Sequence, residues 1–294
     1  MRKQKSILLA IIIIITTIGL VLIFNDPKPT SPVMGPILDE PVQKEKQDSE
    51  NKSPDESKDD TKEKQEDNNK RAEAEPVPET VIEDIHVVGL GDSLTKGSGD
   101  DTEKGYIQPV SQYIRDVTDE DVSLKNFGIH GYPSDKLVKK IETEEVQKHL
   151  KEADHIFITI GGNDILNIVE YNFFNLNLDV FDAGLEQYRK NLFIIVQSVR
   201  TMNPEANIYL VGLFNPFHNF FQDIDEVDQV IEEWNETIKL VAELNDNTSF
   251  IPIEDIFIGE DSKEYFSSDK LHPNQNGYLK MAERIEEYIV LSED

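Results

Sequence analysis

The sequence predicts an α/β domain built on a parallel β-sheet with helices on both faces, and places it in residues 83–294. Short runs rich in Val, Ile and Phe recur along this part of the chain, and longer segments of helical periodicity separate them. Strands that alternate with helices are typical of a parallel sheet covered on both faces. The runs that predict strands are residues 85–88, 122–127, 155–160, 208–213 and 250–253.

Start and stop signals bound the predicted helices. Ser134 and Asn274 are typical N-cap residues, and the pair Asn203-Pro204 ends the helix before it. In open parallel sheets ligands bind beyond the carboxyl ends of the strands, so the loops after the strands are expected to hold any site. The predicted helices are residues 134–150, 184–202, 226–244 and 274–289.

Residues 1–24 are predicted to be a transmembrane signal anchor. Residues 7–24 are apolar or weakly polar, and as a helix they would span roughly 27 Å, close to the hydrocarbon thickness of a bilayer. Arg2, Lys3 and Lys5 precede this run, which by the positive-inside rule keeps the N-terminus in the cytoplasm and the domain outside the cell. The alternative is a signal peptide whose cleavage would yield a secreted protein, but no A-x-A-like cleavage site follows the run.

Residues 25–82 are predicted to be a disordered acidic linker. The stretch KEKQDSENKSPDESKDDTKEKQEDNNK contains no hydrophobic residue. Such a segment cannot bury enough apolar surface to offset the entropy cost of ordering. We therefore expect a tether that holds the domain away from the membrane surface.

The composition narrows the classes of partner. The chain carries 58 acidic against 29 basic side chains, a formal net charge of −29. Nucleic-acid binding depends on basic contacts with phosphates, so no nucleic-acid partner is expected. The absence of cysteine excludes disulfides and a lipid on an N-terminal Cys. Aspartates at residues 100–101 and 223–225 do not fit the twelve-residue calcium loop, and the sequence carries no signal for a metal, a cofactor or an oligomeric state.

A glycine-containing stretch overlaps the end of the first predicted strand, and the spacing of its glycines distinguishes between three known motifs. Residues 87–100 read VVGLGDSLTKGSGD. A dinucleotide-binding fingerprint would need a third glycine in place of Leu94, and a P-loop would need its glycine, lysine and hydroxyl residues in another order. A nucleophile elbow would need glycine in place of Thr95. What remains is Ser93, presented at the end of a strand.

The other strand ends supply partners for a serine. Asn163, in TIGGNDIL after the third strand, has an amide that can donate to a developing oxyanion, and the backbone N–H of Gly131 follows the second strand. Near the C-terminus, SSDKLHP places Asp269 three residues before His272. This separation lets the carboxylate hold one imidazole nitrogen while the other nitrogen faces Ser93.

Four segments together resemble the sequence blocks of the SGNH hydrolases, also called GDSL lipases and esterases. They are GDSLTKGSGD, NFGIHGYPS, GGND and DKLHP, and they occur in the family's order across residues 84–294. One block alone is a weak signal, whereas four at the spacing of a domain are specific. The extended first block looks most like an exported branch found in Gram-positive bacteria. The chain departs from the family at Tyr132-Pro133, where a small or acidic residue and Thr often follow the block glycine, and this affects loop shape more than chemistry.

The resemblance implies a serine esterase or lipase that needs no cofactor, on a flavodoxin-like three-layer α/β/α sandwich with five parallel strands. It implies that Ser93 is the nucleophile, His272 the base and Asp269 the residue that orients the base. It also implies that Gly131 and Asn163 are oxyanion donors beside the N–H of Ser93. The implied substrate is a carboxylic ester, either of a lipid, of a lysophospholipid or of an O-acylated glycan.

Several of these residues also have a purely structural interpretation. Ser93 is a common residue type in turns and helix caps, and Asn163 could cap the helix that follows it. Asp92 is expected to bind loop amides around Ser93. His130 adjoins Gly131, where it either contacts substrate or only packs.

Aromatic side chains cluster in two insertions, after the third and fourth predicted strands. They either line an acyl pocket or a lid, or pack as a satellite core. The residues are Phe173, Phe174, Phe181, Phe214, Phe217, Phe220 and Phe221.

A function from a different class is a tethered module that keeps the fold, binds the cell wall or a protein partner, and is catalytically silent. The presence of Ser93, Asn163, Asp269 and His272 argues against it, because a domain that does not catalyse has no physical need for this set of residues.

Overall fold

A computed structural model of the protein describes residues 84–175, 177–218 and 225–291. The predicted anchor in residues 1–24 and the predicted linker in residues 25–82 lie outside these residues. Within the described ranges, no helix combines the length and the apolarity needed to cross a bilayer.

The described residues form a five-stranded, wholly parallel sheet in the order β2-β1-β3-β4-β5. This confirms the predicted α/β class and its five strands, whose bounds shift by a few residues. The most visible shift is in β1, which continues through three residues beyond the predicted end because both neighbouring strands pair with them. The strands are β1 (Ile85–Gly91), β2 (Val122–Gly128), β3 (His155–Thr159), β4 (Asn207–Val211) and β5 (Thr248–Ile251).

Helices cover both faces of the sheet. One hydrophobic cluster joins one face to α3, α4, α6 and α7, and includes Trp234 and Tyr188, whose rings stack with their centroids 4.5 Å apart. The second cluster joins the other face to α2 and α8 and includes Tyr106 and Tyr278. The helices are α1 (Ser93–Lys96), α2 (Ile107–Thr118), α3 (Ser134–Lys140), α4 (Glu144–Glu152), α5 (Gly162–Tyr171), α6 (Leu178–Met202), α7 (Asp225–Glu243) and α8 (Gln275–Glu286), with 3-10 turns at Phe173–Asn175, Glu254–Phe257 and Asp261–Tyr265.

The predicted helix over residues 134–150 is wrong in two respects. It is two helices, α3 and α4, separated at residues 141–143. Ser134 is the first helical residue and not the N-cap, which is Pro133. Its hydroxyl instead donates to Asp164, a residue of α5. The N-cap prediction for Asn274 is confirmed, since its side chain accepts a hydrogen bond from the N–H of Gly277.

The segment before the predicted helix start at Gly184 is mostly helical and not a loop insertion. Helix α5 occupies its first part, and α6 begins at Leu178 with Asn177 as its N-cap. Gly184 lies inside α6, where a Cβ atom would come within 2.1 Å of the Ile168 side chain on α5. The two helices can pack closely because this position has no side chain.

The strand order places the candidate residues at one edge of the sheet. The chain leaves β1 toward β2 on one side and then crosses to β3 on the other, so the carboxyl ends of β1 and β3 flank the switch point where parallel sheets bind ligands. At Gly91, the last residue of β1, φ is +138° and a Cβ atom would lie 1.9 Å from the carbonyl oxygen of Thr159. Glycine is therefore required for the two strand ends to approach.

Candidate active site

Ser93 begins a single helical turn directly after β1. The carboxylate of Asp92 caps this turn by accepting a hydrogen bond from the N–H of Leu94, and Gly97, in the left-handed conformation, closes it. The Ser93 side chain is buried, with the residue 8% exposed. The turn thus fixes the position of Ser93 at the carboxyl edge of the sheet.

Asp92 anchors this turn from within the core. Its Oδ1 accepts hydrogen bonds from the N–H of Leu94 at 3.0 Å and from Oγ1 of Thr159 at 2.8 Å. The Thr159 hydroxyl also lies 2.7 Å from Oγ1 of Thr95. Burial raises the pKa of the Asp92 carboxyl to about 6, although these hydrogen bonds and the nearby His272 lower it. The expectation that Asp92 binds loop amides agrees with these contacts.

The raised pKa gives Asp92 a defined effect on stability. Between its ordinary pKa of 3.8 and about 6, the carboxyl is protonated in the folded protein but ionised in the unfolded chain. Unfolding then releases a proton, so rising pH lowers the free energy of unfolding in this window. Asp92→Asn keeps the acceptor oxygen and removes the charge. The free energy of unfolding of this variant minus that of wild type is therefore expected to grow by about 2 to 3 kcal/mol as the pH is raised from 4 to 7.

Urea denaturation at pH 4, 5, 6 and 7 measures this difference. Asp135→Asn, at an exposed carboxylate on α3, controls for the removal of one negative charge. A difference between wild type and Asp92→Asn that is the same at all four pH values would contradict the role of Asp92 burial.

Ser93, His272 and Asp269 form one hydrogen-bonded chain. Nε2 of His272 lies 2.9 Å from Oγ of Ser93, and Nδ1 of His272 lies 2.7 Å from Oδ2 of Asp269. A carboxylate only accepts hydrogen bonds, so the ring proton of neutral His272 resides on Nδ1. Nε2 is then free to accept the Ser93 hydroxyl proton. The structure therefore brings together three predicted site residues from the two ends of the domain.

Asp269 is held ionised by its surroundings. Oδ1 accepts hydrogen bonds from Oγ of Ser267 at 2.7 Å and from the N–H groups of Leu271 and His272 at 2.9 Å each. Partial burial raises the pKa of the Asp269 carboxyl, but the hydrogen bonds from His272, Ser267 and Leu271 outweigh it and hold the pKa well below its usual value. The carboxylate is thus present over the whole neutral range and fixes the orientation of the ring.

Gly131, in the loop after β2, and Asn163, in the first turn of α5, are joined at the same edge of the sheet. Nδ2 of Asn163 donates to the carbonyl oxygen of Tyr132 at 3.3 Å, which joins the start of α5 to the loop after β2. That loop is also tied to the nucleophile strand, because the N–H of Ile129 donates to the carbonyl oxygen of Gly91 at 3.0 Å. Gly131 has φ of +71°, and apart from Gly131 itself and its two chain neighbours, no atom of the described residues lies within 4 Å of the position of a Cβ atom. The backbone of Gly131 therefore borders open space beside the site.

A buried polar network supports the start of α5 from behind. The Asp164 carboxylate accepts hydrogen bonds from the N–H and the hydroxyl of Ser134, and Nδ2 of Asn191 donates to the same hydroxyl at 2.8 Å. Burial raises the pKa of Asp164 to about 6, opposed by the hydrogen bonds from Ser134. This network fixes α5 against α3 and α6. Asn163 is the second residue of α5, whose N-cap is Gly161, so it is not the cap.

The aromatic side chains of the two insertions that the structure describes have different surroundings. Phe181 and Phe214 are buried in the two core clusters, and Phe214 stacks on Phe257 with ring centroids 3.9 Å apart. These two side chains therefore belong to the main core on either side of the sheet, and not to a satellite core of the insertions. Phe174 is 93% exposed, and Phe217 is half-buried. Phe220, Phe221 and the side chain of Phe173 lie outside the described part of the structure.

Some supporting residues were missed in the sequence. Thr159 and Ser267 donate hydrogen bonds to Asp92 and Asp269, and Thr95 hydrogen-bonds to Thr159, yet each is a common residue type with no distinctive pattern around it in the sequence. The one usable signal is Ser267 two residues before Asp269, a spacing at which a hydroxyl reaches a carboxylate. In the ranges that the structure describes, no group of three or more His, Cys, Asp or Glu side chains is arranged to hold a metal ion.

Comparison with known proteins gives a consistent set of matches. Residues 90–280 match the model of the GDSL-like Lipase/Acylhydrolase family, a range that contains Ser93, Gly131, Asn163, Asp269 and His272. The chain is 35% identical over 205 residues to the uncharacterized protein YpmR of Bacillus subtilis, covering 69% of this chain and 80% of YpmR. It is 30% identical over 203 residues to the spore germination lipase LipC of Bacillus licheniformis, covering 68% of this chain and 94% of LipC.

A solved structure shows the same architecture. The lipase Lip_vut3 from a goat rumen metagenome superimposes with a TM-score of 0.62 at 28% sequence identity. The superposition covers 69% of this chain and 96% of that lipase.

Proposed function

This chain belongs to the GDSL-like lipase/acylhydrolase family, a family of ester hydrolases, and from that premise we propose that it hydrolyses carboxylic esters through Ser93, His272 and Asp269. The observation that carries the proposal is the 2.9 Å contact between Oγ of Ser93 and Nε2 of His272, whose other nitrogen is held by Asp269. A serine hydroxyl is a weak nucleophile until a base removes its proton. This arrangement supplies that base.

In the first half of the reaction, Oγ of Ser93 attacks the ester carbonyl carbon while Nε2 of His272 takes the hydroxyl proton. The carbonyl oxygen becomes an oxyanion, which the N–H groups of Ser93 and Gly131 and the side-chain amide of Asn163 stabilise. The imidazolium is stabilised by the ionised Asp269. The oxyanion then collapses, the bond to the leaving oxygen breaks, and His272 gives its proton to the departing alcohol.

In the second half, water replaces the alcohol. Nε2 of His272 takes a proton from the water as its oxygen attacks the acyl carbon on Ser93. Collapse of this second oxyanion breaks the bond to Oγ of Ser93, which recovers its proton from His272. The products are one carboxylic acid and one alcohol for each ester and water consumed.

Asn163→Ala tests the oxyanion role. Removal of the amide donor is expected to lower kcat by about a hundred- to a thousandfold, because the negative charge of the transition state loses one of its three donors. Steady-state kinetics with a p-nitrophenyl ester measure the change, with Asn172→Ala at the end of α5 as the matched control. An unchanged kcat in a folded Asn163→Ala protein would remove Asn163 from the mechanism.

The proposed substrates are esters of a lipid, a lysophospholipid or an O-acylated glycan. The relative LipC, 30% identical, is described as a lipase, which supports a lipid ester. Hydrolysis of p-nitrophenyl esters of graded chain length by the full chain tests the proposal, and the preferred acyl length separates lipid hydrolysis from removal of acetyl groups. A folded protein that hydrolyses none of these esters, and whose Ser93 is not labelled by a fluorophosphonate, would overturn the proposal in favour of a binding module.

The proposal extends to the location of the enzyme. Residues 1–24 anchor it in the cell membrane with the N-terminus in the cytoplasm, and residues 25–82 tether the hydrolase domain outside. The apolar run and the three preceding basic residues support this orientation. Protease added to intact cells should degrade the domain, because no membrane protects it. A domain found free in the medium without added protease would instead indicate cleavage and secretion.

A further inference from the structure

His130 lies beside the site, but the proposed ester hydrolysis gives it no role. It follows β2 and directly precedes Gly131, in the loop that Ile129 ties to Gly91 and that Asn163 ties to Tyr132. The residue is exposed at the surface. Its ring centroid lies 5.2 Å from that of His272, at an interplanar angle of 43°. The loop therefore holds the His130 ring beside both the base and an oxyanion donor.

Only one of the two ring nitrogens of His130 is hydrogen-bonded within the described part of the protein. Its Nδ1 lies 3.0 Å from Oγ of Ser98, and Ser98 is itself fixed because its carbonyl oxygen accepts a hydrogen bond from the hydroxyl of Tyr278 at 2.7 Å. Among the described residues, none hydrogen-bonds to the other ring nitrogen, Nε2. One end of the imidazole is thus engaged by the protein, and a polar atom at the other end is available to a ligand.

The surroundings of His130 disfavour its charged form. Partial burial and the positive charges of His272 and Lys96 lower the pKa of the His130 ring, and Asp269 opposes them. Of these groups, His272 lies beside the ring, and the Ser98 hydroxyl is the hydrogen-bond partner of its Nδ1. A neutral imidazole can donate or accept a hydrogen bond at Nε2, depending on its tautomer.

The reaction geometry determines which part of a substrate meets His130. The carbonyl oxygen must face Gly131 and Asn163, while the leaving oxygen must face Nε2 of His272, which protonates it. The acyl chain extends away from both. His130 borders His272 and Gly131, so the atoms that lie against its ring belong to the leaving alcohol, next to the ester oxygen.

We propose that His130 is a specificity-determining residue that hydrogen-bonds a hydroxyl group of the leaving alcohol, so that the preferred substrates are esters of polyols. The inference rests on the proposed ester hydrolysis and narrows its substrate class. Glycerol in a lipid and a sugar in an acylated glycan share this chemistry. An alcohol without a second hydroxyl leaves Nε2 of His130 unpaired in the complex and is a poorer substrate.

The test keeps the acyl group constant and changes the alcohol. The substrates are 1-butyrylglycerol, 6-O-butyrylglucose and butyl butyrate, and titration follows the release of butyric acid. The full-length wild type is compared with His130→Phe and His130→Gln. The control is His86→Phe, at the opposite end of β1. Wild type should prefer at least one polyol ester over butyl butyrate. His130→Phe should lower kcat/KM for that ester about tenfold, mainly through KM, and change butyl butyrate by less than about twofold. His130→Gln, which retains a donor and an acceptor, should recover part of the loss.

Each other result has a defined meaning. An equal loss on all three esters in His130→Phe would overturn the inference, because the variant would then act through the oxyanion loop and not through the alcohol. A wild type without preference for either polyol ester would also overturn it, while ester hydrolysis itself would stand. A wild type that hydrolyses p-nitrophenyl butyrate but none of the three esters would overturn the inference alone, whereas one that hydrolyses no p-nitrophenyl ester of any chain length would overturn the proposed function. Preference for the glycerol ester assigns the polyol to a lipid, and preference for the glucose ester assigns it to a glycan.

Discussion

Ser93→Ala is expected to abolish ester hydrolysis, with kcat falling by about 10⁴- to 10⁶-fold. The variant lacks the oxygen that attacks the ester, so no acyl-enzyme forms, and only the residual effect of the oxyanion donors remains. The substitution deletes one oxygen atom from a buried turn whose backbone is fixed by Asp92 and Gly97. Folding should therefore be retained, and p-nitrophenyl ester hydrolysis measures the loss directly.

Ser249→Ala, on the edge strand β5, is the matched control and should keep wild-type activity. Labelling by a fluorophosphonate gives a second readout, since it should mark wild type and Ser249→Ala but not Ser93→Ala. If Ser93→Ala retained more than a few per cent of wild-type activity while folded, Ser93 would not be the nucleophile.

Asp269→Asn is expected to lower kcat by roughly 10³- to 10⁴-fold while leaving the fold intact. The amide can present an N–H to Nδ1 of His272, which reverses the tautomer and places the ring proton on Nε2. His272 would then no longer accept a proton from Ser93. The hydrogen bonds to Oδ1 from Ser267 and from the backbone survive, because the amide oxygen can take that place.

The pH dependence of kcat and a control variant distinguish a reversed His272 tautomer from a general disturbance of the fold. Since the Asp269 carboxyl is ionised throughout the neutral range, its protonation does not shape the wild-type profile near pH 7. Asp261→Asn, in the exposed 3-10 turn before the base loop, should behave like wild type. Nearly full activity in Asp269→Asn would show that the contact with His272 is structural only.

The central strands were predictable because their apolar runs are buried on both faces, as in β3, where all five residues are buried. The edge strands β2 and β5 are only partly buried, and their apolar content alone indicated them. The helix boundaries depend on partners far away in the chain, and there the sequence was misleading. Ser134 has the chemistry of an N-cap, but Asp164 engages its hydroxyl, thirty residues further on. The start of α6 was missed because its first turns pack on α5 and not on the sheet.

The site residues also differ in how far the sequence predicted their contacts. Asp269 and His272 are close in sequence, so their spacing alone predicted the hydrogen bond that the structure contains. The contact between His272 and Ser93 joins residues from opposite ends of the domain, and only the order of the blocks indicated it. The burial that raises the pKa of Asp92 and the position of the His130 ring over His272 depend on packing, which no local pattern encodes.

The pairing of Ser93, on the first turn of the domain, with His272, just before its last helix, fixes the moment at which the enzyme becomes competent. Ribosomes synthesise the chain from the N-terminus, and a domain folds as a unit once its segments are available. Ser93 is made early but has no base until residues 269–286 have emerged and α8 has docked beside α2. A nascent or truncated chain that lacks residues 269–286 would therefore be inert toward esters, because Ser93 would have no base.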